Sequence, residues 1–252
     1  MTDKYVKKIR LDLYTNGMEI DTDFYNYGCV ISNINPAERA LFDGILNTAE
    51  ATGAVLETLW NFVVALQERP QPAELVERLL KKDGPSQVDL SNYLPKLDGI
   101  TIFDIDSLKA LRRLTYSSRQ PLKRSYRGPE AEAFFWECFY ERLRSEAFPN
   151  APSRSTCFFL FSDLDSAVAF ERKHLTAMTH NYLFCNVVAK TTRTAFSADM
   201  AILDGVTLKQ TFVSASEDIQ RYWRQERSEK PLMEVLFQGR ACLGERLRLS
   251  AA

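Results

Sequence analysis

Three short segments of this chain carry side chains suited to work on a phosphorylated sugar: Pro152-Ser153-Arg154-Ser155-Thr156, the step Tyr222-Trp223, and Met233-Glu234-Val235-Leu236-Phe237-Gln238-Gly239. Arg154 offers a planar fork that matches phosphate oxygens in pairs. Ser153, Ser155 and Ser162 add neutral donors for a ribose or an amide. Glu234 is an isolated carboxylate in an apolar run, where a charge is costly unless it is paired or used. Held against a sugar, it would stabilise the positive charge that builds as a bond to the anomeric carbon breaks, as in glycoside hydrolysis. The plainer alternatives are a strand-edge glutamate facing water and a surface-loop arginine.

Other chemistries are poorly supplied. Cys29, Cys138, Cys157, Cys185 and Cys242 are odd in number and far apart, which predicts free thiols in apolar surroundings rather than disulfides. His174 and His180 lack the spacing of a helical zinc pair, no Cys-x-x-Cys occurs, and no metal is expected. Gly17, Gly28 and Gly44 stand alone, without a phosphate-loop or dinucleotide fingerprint. The chain has 252 residues, 45% hydrophobic and 26% charged, with a formal net charge of -1. It has no apolar run of membrane-spanning length and no secretory leader, so a cytoplasmic protein without membrane contact is expected.

The elements that must position these groups follow from periodicity. Tyr5 to Ile20 alternates around Asn16-Gly17 and predicts a hairpin. Helical spacing then runs from Asn35-Pro36 through Glu50, from about Ala54 to Arg69, and from Ala73 to Lys82, with another helix capped by Asp106 or Ser107 and a long one from Glu130 to about Glu146. After Pro152 the pattern becomes strand (Thr156 to Phe161), helix (Asp163 to His174) and strand (Asn181 to Ala189). Further strands are expected near Val206 to Val213 and Val235 to Leu243, flanking a short helix at Ser216 to Arg224. The chain is therefore read as a discontinuous α+β domain, residues 1–35 and 149–252, carrying a mainly helical insertion at 36–148.

The order Pro-Ser-Arg, Phe159-Leu160-Phe161-Ser162, Ala167 to Phe170, Tyr222-Trp223 and Glu234-Val235-Leu236-Phe237-Gln238-Gly239 resembles the catalytic core of the ADP-ribosyltransferase superfamily, in particular its bacterial members with a Pro-Ser-Arg motif. That resemblance covers about the last two-fifths of the chain and, more weakly, the first strand pair. It implies a split β-sheet core, NAD+ as substrate, Glu234 as catalytic residue, and cofactor binding by Ser153, Arg154, Ser155, Phe161 and Ser162. It also implies a first-strand cation on the ribose, for which Arg10 is best placed, with Lys7 and Lys8 competing. The first strand has no histidine and Leu160 stands where the polymerase-like branch carries tyrosine, so an Arg-Ser-Glu arrangement fits better; Leu232 stands where arginine-modifying toxins carry Glu or Gln, which weakens the reading of such a toxin. A toxin or defence role, with an antitoxin as partner, follows from resemblance alone.

Between Ser107 and Pro129 every charged residue is basic: Lys109, Arg112, Arg113, Arg119, Lys123, Arg124 and Arg127, with Tyr116 and Tyr126 interleaved. Cations attract phosphates and tyrosines stack on bases, so this segment (Arg112, Arg113, Arg119, Lys123, Arg124, Tyr126 and Arg127) is the candidate contact for an RNA or DNA acceptor. A solvated helical face or a protein-binding surface is the competing reading. The function expected is ADP-ribose transfer from NAD+ to RNA or protein. The rivals are a non-catalytic nucleotide- or nucleic-acid-binding module and an interaction protein acting through its helical middle.

Overall fold

Alternating apolar and polar residues make Lys4–Arg10 the first strand, β1, and a 3-10 turn at Leu11–Leu13 ends it. The structure is a computed structural model and describes residues 4–25, 36–68, 71–81, 88–89, 101–102, 109–114, 129–173 and 181–248. The remaining strands are β2 (Glu19–Asp21), β3 (Val88–Asp89), β4 (Thr101–Ile102), β5 (Phe158–Phe161), β6 (Tyr182–Asp199) and β7 (Met233–Leu247). The helices are α1 (Pro36–Thr52), α2 (Leu56–Glu68), α3 (Gln71–Lys81), α4 (109–114), α5 (Pro129–Ala147), α6 (Leu164–Lys173), α7 (Met200–Leu203) and α8 (Phe212–Trp223). The class is α+β, with antiparallel pairing throughout.

Two units divide the described residues. One draws on 1–32, 144–205 and 220–252; the other draws on 33–143 and 206–219. Residues 206–219 thus go with the helical unit. They hold no regular strand but a single bridge, Val55 to Thr211, and the amides of Leu56 and Glu57 donate to the carbonyls of Gln210 and Leu208 at 2.9 and 2.7 Å. Phe212 stacks on Phe139 with centroids 5.1 Å apart, beside a cluster of Phe42, Trp60 and Phe135.

In the β-rich unit the strands run β2-β7-β5-β1-β6, and a further β6–β7 ladder closes β7, β5, β1 and β6 into a ring. Closure follows from strand length: β6 and β7 are long enough to bend and pair with each other along nearly their whole length, while β6 also takes β1 and β7 also takes β5 and then β2. β7 pairs with β5 near Glu234 and with β2 near Ala241. Alternate residues turn inward, and Phe158, Leu160, Cys185, Val187, Val235, Phe237 and Leu243 fill the ring. On the outer face Val6, Phe161 and Phe184 pack with Ala167 of α6.

The predicted hairpin does not form. β1 is bonded on both edges, to β5 and β6, so β2 takes the free edge of β7 instead. The Asn16-Gly17 turn survives, with Gly17 at φ +82°.

Gly239 has a specific cause. Its φ is +141°, and a Cβ there would lie 2.1 Å from the Thr191 carbonyl oxygen. The β6–β7 register slips between Ala189 and Thr191 and again between Thr192 and Thr194. The Gly239 amide donates to the Thr22 hydroxyl at 2.8 Å, tying the chain after β2 to this bend. Gly239→Ala should lower unfolding free energy by about 2–3 kcal/mol in urea titration, since the atoms a Cβ would meet, on Thr191 and Arg193, are backbone and cannot yield as a flexible side chain would.

Candidate active site

Pro152 breaks the chain after α5, and Arg154–Thr156 form one 3-10 turn before β5 begins. This turn aims Arg154 back over the sheet, where its guanidinium lies 4.8 Å from the centre of the Phe159 ring. Glu234 is the second residue of β7, in register with Phe161 on one side and Ala198 on the other. Tyr222 is the penultimate residue of α8 and is fully buried.

These three side chains meet. Arg154 Nη1 donates to Glu234 Oε1 at 2.6 Å and to the Tyr222 hydroxyl at 2.7 Å, and that hydroxyl donates to the same Oε1 at 2.7 Å. Both bonds to the glutamate land on Oε1, so Oε2 carries neither. Arg154 is 7% exposed and Glu234 2%, which excludes a surface arginine and a water-facing strand-edge glutamate. Burial pushes the Tyr222 phenol well above its usual value; the Glu234 charge adds to the rise and Arg154 opposes it.

Other expected site residues fall nearby but have local tasks. Ser153 and Ser155 bond each other at 2.8 Å. Ser162 donates to Asp163 at 2.5 Å, and Asp163 accepts the Ser166 amide at 2.7 Å as the cap of α6. Phe161 packs on Phe170, with centroids 5.3 Å apart. Arg10 forks onto Asp12 at the surface. Arg10 lies four residues, roughly 13 Å, along β1 from the row that aligns Val6, Phe161 and Glu234, and the structure does not bring it to the trio.

Lys7 is the first-strand cation nearest that row. It shares the inward face with Tyr5 and Ile9, donates from Nζ to the Phe159 carbonyl at 2.7 Å, and sits 4.6 Å from the Phe158 ring centre. Burial lowers its pKa to about 8, against the opposing pull of Cys185 and Glu234.

Of the basic segment, Arg112 pairs with Glu77 at 2.8 Å. Arg113 and Lys109 line a cavity of about 280 Å³ in the helical unit, together with Gly44, Asn47 and Thr48. Arg119, Lys123, Arg124, Tyr126 and Arg127 lie outside the described residues, as do Cys29, His174 and His180. Cys138, Cys157 and Cys185 are buried free thiols, and Cys242 is a half-buried one. Among the described residues no group of three or more His, Cys, Asp or Glu could hold a metal ion. No described helix is long and apolar enough to cross a membrane.

Residues 98–246 match the protein family described as a protein of unknown function (DUF2441). The chain belongs to this DUF2441 family. The matched region spans more than half of the sequence and contains Arg154, Tyr222 and Glu234 but not Lys7. No curated protein matches the chain.

Two side chains stand out to which the sequence assigned no role in the site. Tyr222 was marked only as part of the Tyr-Trp step, which reads as helix, and nothing local says that its hydroxyl meets Arg154 and Glu234. Asp199 is fully buried and signals itself only as an acidic residue before the short helical run Met200–Leu203.

Glu234→Ala should cost about 3–5 kcal/mol by urea denaturation, because it leaves Arg154 charged and unpaired in the core. Combining it as Arg154→Met with Glu234→Leu should recover most of that loss. Lys7 has a separate signature. Its folded pKa lies below the unfolded one, so its charge is a penalty below pH 8 that is relieved as pH rises from about 8 to about 10.5. Over that window wild type should gain stability relative to Lys7→Met, measured by paired urea titrations.

Proposed function

We propose that this chain transfers ADP-ribose from NAD+ to a macromolecular acceptor, with Glu234 as the catalytic residue. The observation that supports this reading is the buried Arg154–Tyr222–Glu234 trio. A fixed carboxylate with one oxygen held by two donors keeps the other, Oε2, for a ribose hydroxyl. As the bond from the ribose anomeric carbon to the nicotinamide nitrogen breaks, its electron pair leaves with nicotinamide, and Glu234 stabilises the positive charge left on the sugar. An acceptor oxygen or nitrogen then forms the new bond and loses its proton to solvent. Arg154, Ser153 and Ser155 would bind the phosphates and hydroxyls of NAD+, with the Phe159 ring beneath the guanidinium.

In this reading the ring of strands is the core of an ADP-ribosyltransferase-like split sheet, and the helical unit is its insertion. The cavity lined by Lys109 and Arg113 supports a phosphate-bearing acceptor, RNA before protein. A cytoplasmic toxin or defence effector restrained by an antitoxin is consistent with such chemistry. One observation favours a second reading: Arg154 and Glu234 bond each other directly, as a structural tie in a non-catalytic nucleotide-binding protein would.

Incubation with NAD+ labelled in nicotinamide separates the two. Wild type should release nicotinamide, and Glu234→Gln should lose ~100-fold or more of that rate while still binding NAD+, as expected for a group acting mainly in the transition state. Equal release by both proteins, or none by either, supports the structural tie. NAD+ labelled in its adenylate, offered with RNA and protein pools, then reports the acceptor.

A further inference from the structure

Asp199 is a buried carboxylate that the proposed chemistry does not use. It ends β6 in register with Met233, one position from the pairing of Ala198 with Glu234. Its side chain receives three backbone amides: Ala201 on Oδ1 at 3.0 Å, Leu232 on Oδ1 at 2.7 Å and Ser228 on Oδ2 at 2.7 Å. The Ala201 bond caps α7, but the other two come from 29 and 33 residues away and hold the segment leading into β7. The Met200 amide adds a fourth tie, donating to the Leu232 carbonyl at 2.9 Å.

Burial alone would raise the Asp199 pKa, yet it is lowered, because the hydrogen bonds to Ser228, Leu232 and Ala201 favour the charged form. The segment it holds is otherwise irregular, with no helix or strand between Trp223 and Met233. Without the Asp199 carboxylate, Leu232 would keep only the Met200 tie and Met233 the β7 ladder to set their height against β5.

We propose that Asp199 is the positioning residue for Glu234: its carboxylate anchors the Ser228 to Leu232 segment and so sets where Glu234 enters β7 opposite Arg154 and Tyr222. The catalytic consequence rests on the reading of Glu234 given above; the geometric one does not.

The experiment compares wild type with Asp199→Asn and Met200→Pro. Asparagine keeps the cap but turns an amide nitrogen toward one of the N–H donors. Proline is tolerated at the first position of a helix and after an extended residue, and Asp199 is extended at φ -89°, ψ 102°. It therefore removes the Met200 tie, together with a half-buried side chain, while leaving the Asp199 carboxylate in place, and it keeps the test open should Asp199→Asn fold poorly.

Two readouts are taken. The first is the 13Cζ resonance of Tyr222 at pH 7, assigned with Tyr222→Phe, which should move toward its solvent-exposed value in both variants. The second is nicotinamide release, in which kcat should fall ~10- to 100-fold in Asp199→Asn with KM for NAD+ nearly unchanged, the signature of a misplaced rather than a missing group. An unmoved Tyr222 resonance in Asp199→Asn, or in Met200→Pro should Asp199→Asn not fold, overturns the positioning role, whatever the activity. A shifted resonance with turnover that neither Asp199→Asn nor Glu234→Gln alters keeps Asp199 as a positioning residue and removes Glu234 from catalysis.

Discussion

A guanidinium and a carboxylate in contact inside an apolar core dominate this structure. Either charge alone would be strongly disfavoured there. Together, with the Tyr222 hydroxyl bridging them, they are satisfied, and they fix three distant parts of the chain to one another: the turn before β5, the end of α8 and the start of β7. The Pro152 break, the buried Tyr-Trp step and the tie to Asp199 all bear on whether these groups meet at hydrogen-bonding distance.

The ring of strands supplies the rigidity. Because β6 serves two neighbours and β7 three, no part of β7 near Glu234 is a free edge, and Glu234 is flanked by paired backbone on both sides. Gly239 permits the bend that makes this possible, five residues beyond the glutamate in the same strand. The motif that joins Glu234 to Gly239 thus has two physical parts: a charge placed at the site, and a residue without a side chain where the strand closes against Thr191.

Much of this was legible in the residues. The apolar run at β5, the helix that follows it and, among the described residues of the middle, the helices α1, α2, α3 and α5 follow from periodicity and from proline and glycine punctuation. Glu234 stood out because charge is rare in such an apolar run, and Arg154 because its planar fork suits phosphates and it completes the Pro-Ser-Arg resemblance. What could not be read was non-local. Whether β1 pairs with β2 depends on which edges β5 and β6 occupy, and no turn signal carries that information. The same holds for Val206 to Val213, which reads as a strand but makes only one bridge, at Thr211, before α8 begins at Phe212. Arg10 and Lys7 lie three residues apart on one strand, and only the register with β5 shows that Lys7 is nearer to the Glu234 row. Tyr222 and Asp199 act through bonds that span many residues, so short-range spacing was silent about both.

The central claim is that a dinucleotide meets the Glu234 carboxylate. The most direct measurement is the 13Cδ resonance of that carboxylate, assigned by its loss in Glu234→Gln, followed as NAD+ is added to the wild-type protein. A saturable shift that tracks NAD+ occupancy is the predicted result. A resonance that stays fixed while NAD+ saturates the protein, or a protein that NAD+ never saturates, would contradict the account.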